Sequence, residues 1–129
     1  MARKKGTKSV LVVGLGRFGS SVASTLNEME QDVLAVDKDP EIVARWSSQI
    51  PVVQADMTDV MAIERIDASQ FDTAVVAIGD SIEASVIAAG NLLDAGITDL
   101  WAKSVSIQHA RILRRIGARH VINAESDAG

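Results

Sequence analysis

The chain contains no cysteine and no tyrosine, only two prolines and two histidines, and its aromatic fraction is 3%. Without cysteine there is no disulfide, no thiolate metal site and no cysteine nucleophile, and a cytosolic setting is favoured. Without tyrosine there is no phenolic general acid, and no Ser-x-x-x-Lys-like pair falls near a predicted strand end. No apolar run approaches the ~20 residues of a spanning helix. The basic start runs into Gly6-Thr7-Lys8 rather than the apolar stretch of a signal peptide. Direct insertion into a membrane is therefore not expected. Internal repeats, low-complexity segments and long linkers are also missing.

What is present is one domain's worth of chain. Its 129 residues are enough to bury roughly two-thirds of the unfolded surface. An apolar fraction of 47% and a charged fraction of 23% are ordinary for a globular protein. The net charge of −4 hides an asymmetry: Arg3, Lys4, Lys5 and Lys8 stand in a stretch with no acid, which leaves 9 cations against 17 acids in the rest. We expect residues 1–8 to be a basic flexible tail and 9–129 to be the folded unit. An acidic body is a poor match for a phosphate backbone, so no nucleic-acid partner is expected.

The folded unit is organised around Ser9 to Gly19, Ser-Val-Leu-Val-Val-Gly-Leu-Gly-Arg-Phe-Gly. Val10 to Val13 is an unbroken, mostly β-branched run, which suits a strand buried on both faces. Gly14-Leu15-Gly16-Arg17-Phe18-Gly19 is a G-x-G-x-x-G, and Val22, Ala23, Leu26 and Met29 follow at helical spacing. Strand, glycine turn and helix stand in the order of a dinucleotide fold. Gly14 turns the chain out of the strand, Gly16 admits a pyrophosphate to the backbone, and Gly19 lets helix pack on strand.

The pattern then repeats. Arg17 to Glu30 reads as a helix, Val33 to Val36 as a strand ending at Asp37, and Pro40 to about Gln49 as a short helix. Val52 to Ala55 is a third strand closed by Asp56, with Met57, Val60, Met61, Ile63 and Ile66 on a third helix. Thr73 to Ile78 is a fourth strand ending in Gly79. Asp80 and Glu83 resemble a capping box for a helix that Gly96 stops. Thr98 to Ala102, a helix marked by Val105, His109, Ile112 and Ile116, and His120 to Asn123 complete six strands and five helices. Such alternation predicts an α/β, Rossmann-like, doubly wound parallel sheet. The glycine fingerprint suggests the strand order 3-2-1-4-5-6.

Three side chains carry most of the chemistry. Asp37 lies 18 residues past Gly19, where a carboxylate at the tip of the second strand accepts from ribose hydroxyls and repels a 2′-phosphate. Asp56 is placed either to lie near an adenine edge or to cap the next helix. Arg17 is a cation at a helix N-terminus, which the helix dipole disfavours, so an anion nearby is implied. Arginine grips phosphate bidentately. His109 falls on an apolar stripe and reads as a core-edge residue, and Arg111, Arg114, Arg115 and Arg119 read as a solvated face complementing a helix C-terminus.

These segments resemble the N-terminal lobe of the regulator-of-potassium-conductance domains, in particular the cytosolic regulatory subunits of Trk/Ktr-type potassium uptake systems. The resemblance rests on Gly14 to Gly19, Ala35-Val-Asp37, Gln54-Ala-Asp56, Val76-Ala-Ile-Gly79, Leu100-Trp-Ala-Lys103, Ile116-Gly-Ala118 and Val121-Ile-Asn-Ala-Glu125. It implies a ligand sensor rather than an enzyme, binding ATP/ADP or NAD(H) at the strand ends. It also implies a homodimer that builds an octameric ring against a membrane potassium-translocating subunit, hence a cytoplasmic place peripheral to the inner face of the membrane. By the same resemblance Asp37 holds ribose, Asp56 flanks adenine, Arg17 reaches a terminal phosphate and Lys103 lies near the phosphates. Glu125 would stand near a cation, Mg or Ca, at the dimer contact, although Ala124 replaces the proline usual before it. The second lobe of the family is expected to be absent from this chain. The candidate cofactor-binding residues are thus Gly14, Gly16, Arg17, Phe18, Gly19, Asp37, Lys38, Asp56, Met57, Ile78, Gly79, Lys103 and Glu125, with Glu125 also the candidate metal ligand. The competing class is the cofactor half of a NAD-dependent oxidoreductase; a third is an interaction module with a vestigial site.

Overall fold

A computed structural model describes residues 8–123. Six strands form one parallel sheet: β1 Ser9–Val13, β2 Asp32–Asp37, β3 Val52–Gln54, β4 Thr73–Val76, β5 Asp99–Ser104 and β6 His120–Asn123. Their order is β3-β2-β1-β4-β5-β6, as the fingerprint suggested. The chain steps outward from β1 to β3, then returns to lay β4 on the other flank of β1. Val10 consequently pairs with both Val33 and Thr73.

Five α-helices connect the strands: α1 Arg17–Glu28, α2 Pro40–Trp46, α3 Val60–Arg65, α4 Ile82–Asp94 and α5 Ile107–Ile116. Because strand side chains alternate, β1 feeds two cores. Val10 and Val12 join Val33 and Ala35 beneath Ala23 and Leu26 of α1 and Ile42 and Trp46 of α2. Leu11 and Val13 join Val36, Val76 and Leu100 beneath Ile63, Leu92 and Leu113 of α3, α4 and α5. Leu11, Leu92, Leu100 and Leu113 are wholly enclosed, each burial contributing about 1.5–3 kcal/mol. β1 and β4 are buried along their whole length, which is why both read as unbroken apolar runs.

Element ends differ from the sequence reading where capping competes. α4 is capped by Ser81, whose Oγ accepts from the Ala84 amide at 3.0 Å, not by Asp80 with Glu83. The reason is that β4 ends at Val76, so a longer loop, 77–80, carries Ile78 and Gly79 off the strand. α3 starts at Val60 with Asp59 as its cap, accepting from Met61 N–H. Met57 therefore precedes the helix rather than lying on it. α1 ends at Glu28, and Glu30 turns the chain with φ 61°.

Candidate functional site

A crevice of about 650 Å³ opens at the carboxyl ends of the central strands, between the tips of β1, β2 and β4. This is where the winding of the sheet reverses, and loops diverging to opposite faces leave a gap there. The volume falls within the range of small-molecule pockets.

The glycine turn forms one wall. Gly14 has φ +96°, and a Cβ on it would meet the Ala77 carbonyl carbon and oxygen at 3.2 Å. Its N–H donates to the Val36 carbonyl at 2.8 Å. A Cβ on Gly19 would overlap the Gly14 carbonyl oxygen, so only glycine lets α1 sit this close to the turn. Gly19 therefore shapes the wall without lining it. Gly16 is different: it precedes α1 with extended backbone, and a Cβ there would meet nothing within 4 Å. The space beside it belongs to the crevice. α1 has no side-chain cap and no acid in its first turn, so its leading N–H groups and the positive end of its dipole are left for an anion. Arg17 and Phe18 of that first turn line the same opening. Arg17 is exposed, and its guanidinium makes no hydrogen bond or ion pair among the described residues; its carbonyl accepts from the Ser20 hydroxyl at 3.3 Å.

Opposite the glycines stands Asp37, at the tip of β2. Its Oδ2 accepts from the Leu15 N–H at 2.8 Å and its Oδ1 from the Asp39 N–H at 2.9 Å. The carboxylate thus ties the glycine turn to the β2–α2 turn, and each oxygen keeps a further lone pair. Lys38 is exposed beside it, lining the crevice.

Asp56 closes the far end. Of the two roles open to it from its position in the chain, capping belongs to Asp59 instead. Asp56 Oδ1 accepts from the Thr58 hydroxyl at 2.7 Å and the Thr58 N–H at 3.0 Å, forming an Asx turn. Those bonds, the hydroxyl first, hold its carboxyl below the ordinary aspartate value; Lys38 adds to the effect and partial burial opposes it. Met57 is buried at the crevice floor, its carbonyl accepting from Asn91 Nδ2 of α4 at 3.1 Å. The β4 side supplies Ile78 and Gly79, and β5 supplies Lys103. The Lys103 Nζ lies 2.9 Å from where a Cβ on Gly79 would stand; any side chain at 79 would push the ammonium aside.

The structure therefore brings eleven of the expected residues to one crevice, with Gly19 packed behind them. Glu125 lies outside the described residues. Sequence reasoning missed Thr58, Ser81, Ala84 and Ile87, which also line the crevice. The Asp-x-Thr of an Asx turn and the Ser of a helix cap were the available signals for the first two. Neither histidine lines it. His109 is enclosed between α5 and α4, deeper than the core edge expected. His120 begins β6 at the opposite end of the sheet, stacked on Trp101 at 4.0 Å and 3.6 Å from Asp99. No described helix is long and apolar enough to cross a membrane. Among the described residues no cluster of His, Asp and Glu could hold a metal ion.

Comparison with known proteins agrees with this architecture. The chain is 36% identical over 129 residues to Ktr system potassium uptake protein A of Vibrio alginolyticus, covering 98% of this chain and 58% of that protein. It is 33% identical over 121 residues to Ktr system potassium uptake protein C of Bacillus subtilis, covering 93% and 55%. The chain thus spans little more than half the length of these relatives. Among solved structures, the TrkA-N domain of inner membrane protein ybaL from Escherichia coli superposes with a TM-score of 0.84 at 13% identity, covering 96% of this chain and 93% of that one. The GsuK channel, solved bound to NAD, superposes with a TM-score of 0.79 at 14% identity, covering 94% and 22%. The same protein bound to ADP gives 0.77 at 14%, covering 94% and 32%. Those structural likenesses concern the fold alone. The sequence pattern of the TrkA-N domain matches residues 10–124, and the chain belongs to the TrkA-N domain family.

Proposed function

We propose that this domain is a regulatory nucleotide-binding module of a potassium uptake assembly, and that adenine nucleotide, ATP/ADP or NAD(H), occupies the crevice at the strand ends. One observation carries the reading. A glycine turn with open space at Gly16, an uncapped helix start and an exposed Arg17 faces two carboxylates, Asp37 and Asp56, across a single crevice. Donors for phosphate are gathered at one end and acceptors for sugar and base at the other.

Asp37 would accept from ribose hydroxyls through its remaining lone pairs, and its charge would exclude a 2′-phosphate. Asp56 keeps Oδ2 free of the Asx turn and would accept at the adenine end. The α1 amides, Arg17 and Lys103 would take the phosphates. Phe18, Met57 and Ile78 give apolar surface, and Lys38 frames the entrance. Neither histidine reaches the crevice, so no imidazole is placed there for proton transfer, which favours a sensor over an oxidoreductase.

Support for the wider role comes from the Ktr relatives, named as potassium uptake proteins. The module would act as a homodimer, in a ring beside a membrane potassium-translocating subunit. It would bias that subunit because nucleotides differ in affinity for the ring's alternative states. The place this implies is the inner face of the membrane. A cation site at Glu125 would belong to the same dimer contact. Calorimetric titration with ATP, ADP, NADH and NADPH tests the binding claim. Micromolar binding of at least one of the first three is expected. No micromolar binding, or tightest binding of NADPH, contradicts it.

A further inference from the structure

Two polar side chains are sealed between α4 and α5, outside the crevice, yet they are wired to its rim. His109 is 1% exposed, and Ser85 has no exposed surface. Both ring nitrogens of His109 are engaged. Nδ1 lies 3.0 Å from the Val105 amide nitrogen, and Nε2 lies 3.0 Å from Ser85 Oγ. A backbone N–H only donates, so Nδ1 must be the bare acceptor, and Nε2 then carries the proton and donates to Ser85 Oγ. The geometry fixes a neutral ring in its Nε2–H tautomer.

The position of the acceptor matters. β5 ends at Ser104 and α5 begins at Ile107, so the connection consists of Val105 and Ser106 alone. Ser106 caps α5 by accepting the His109 N–H at 3.0 Å, while His109 accepts the Val105 N–H in return. This short connection is closed on itself from within. Two residues before Val105 stands Lys103, whose ammonium reaches the crevice beside Gly79. Ser85, one turn past the Ser81 cap, ties the ring to the helix whose first turn lines the same crevice. An apolar residue at 109 would fill the space but leave the Val105 N–H without its acceptor.

We propose that His109 is a positioning residue for nucleotide binding: through the Val105 N–H it sets the β5–α5 connection and so the place of Lys103 at the phosphate end of the crevice. The proposal rests on the crevice being the nucleotide site. It assigns the two ring nitrogens unequal roles: Nδ1 positions Lys103, and Nε2 selects the tautomer through Ser85.

That inequality gives the test. His109→Asn puts an amide oxygen near the place of Nδ1, and His109→Gln reaches instead toward the place of Nε2. With ADP as the probe, His109→Asn should keep its affinity within about twofold, and His109→Gln should weaken it about tenfold. A merely structural residue would lower affinity in step with lost thermal stability, whichever nitrogen is mimicked. Equal affinities in the two variants overturn the proposal. Wild-type protein supplies a readout independent of how the variants fold. Nitrogen-15 spectra of the imidazole at neutral pH should show the Nε2–H tautomer, and the Val105 amide resonance should move on saturation with ADP. An Nδ1–H or charged ring, or a Val105 resonance that ignores bound ADP, also overturns it. If wild-type protein binds no nucleotide at all, the functional reading fails instead, and the imidazole spectrum still decides the tautomer.

Discussion

Asp37→Ala should damage the empty protein before any ligand is added, and the structure sets the size of the effect. The carboxylate holds two backbone donors. The Leu15 N–H is part-buried in the glycine turn, above a side chain that is itself buried. Once stranded it costs about 1–3 kcal/mol. The Asp39 N–H is exposed and finds water, so its loss costs about 1 kcal/mol at most. Together these lower stability by about 1–4 kcal/mol, which for a domain of this size, at about 4 °C per kcal/mol, moves the melting midpoint down by about 4–16 °C. Thermal unfolding of nucleotide-free protein followed by circular dichroism measures this. ADP affinity, measured well below the transition, should fall as well, since each charged hydrogen bond to ribose is worth about 1.5–3 kcal/mol. An unchanged midpoint would show that the carboxylate does not hold the turn. A lowered midpoint with unchanged affinity would leave Asp37 a staple of the turn and remove it from the site.

Further outcomes follow from the same geometry. Gly19→Ala drives a methyl group into the Gly14 carbonyl oxygen and should cost about 3 kcal/mol or more, read as a lowered urea midpoint. Gly16→Ala meets no protein atom. It should leave stability within about 0.5 kcal/mol while weakening ADP at least about tenfold by calorimetry. Arg17→Ala removes an exposed side chain with no partner among the described residues; the midpoint should hold, and discrimination between ATP and ADP should shrink. Burial depresses the His109 pKa below its ordinary 6.5. The unfolded chain therefore takes up the proton first. The resulting stability is complete above about pH 6.5 and is lost as pH falls toward the lower folded value. Urea midpoints compared at about pH 7.5 and about pH 5.5 should show that loss, and His109→Asn should reduce it.

The parts of the molecule that were legible in its sequence are those governed by local rules. β1 and β4 announced themselves because burial on both faces removes polar alternation, and the glycine turn because Gly14, at positive φ, and Gly19, against the Gly14 carbonyl, leave no room for a Cβ, while Gly16 keeps space open on the crevice. The order of the strands followed from that turn rather than from any periodicity. Caps were less legible. Asp56, Asp59, Asp80 and Ser81 are all competent capping residues, and only the true strand and helix ends decide among them. Asp59 and Ser81 won because β3 and β4 stop earlier than their apolar runs suggest. The least legible features are pairings across the fold. Asp37 meets the Leu15 amide 22 residues away, and His109 meets Ser85 at a separation of 24. Neither pairing leaves a mark in spacing. A histidine on an apolar stripe looks the same whether or not a serine on another helix completes it.

The central claim is that adenine nucleotide occupies the crevice at the carboxyl ends of the strands. Backbone amide resonances recorded during titration with ADP test it most directly. Saturable shifts are expected at Leu15 to Phe18, Lys38, Asp56 to Thr58, Gly79 and Lys103, with Thr73, Asp99 and His120 at the opposite end of the sheet unmoved. Saturable shifts centred on that opposite end, or no saturable shift anywhere, would contradict it.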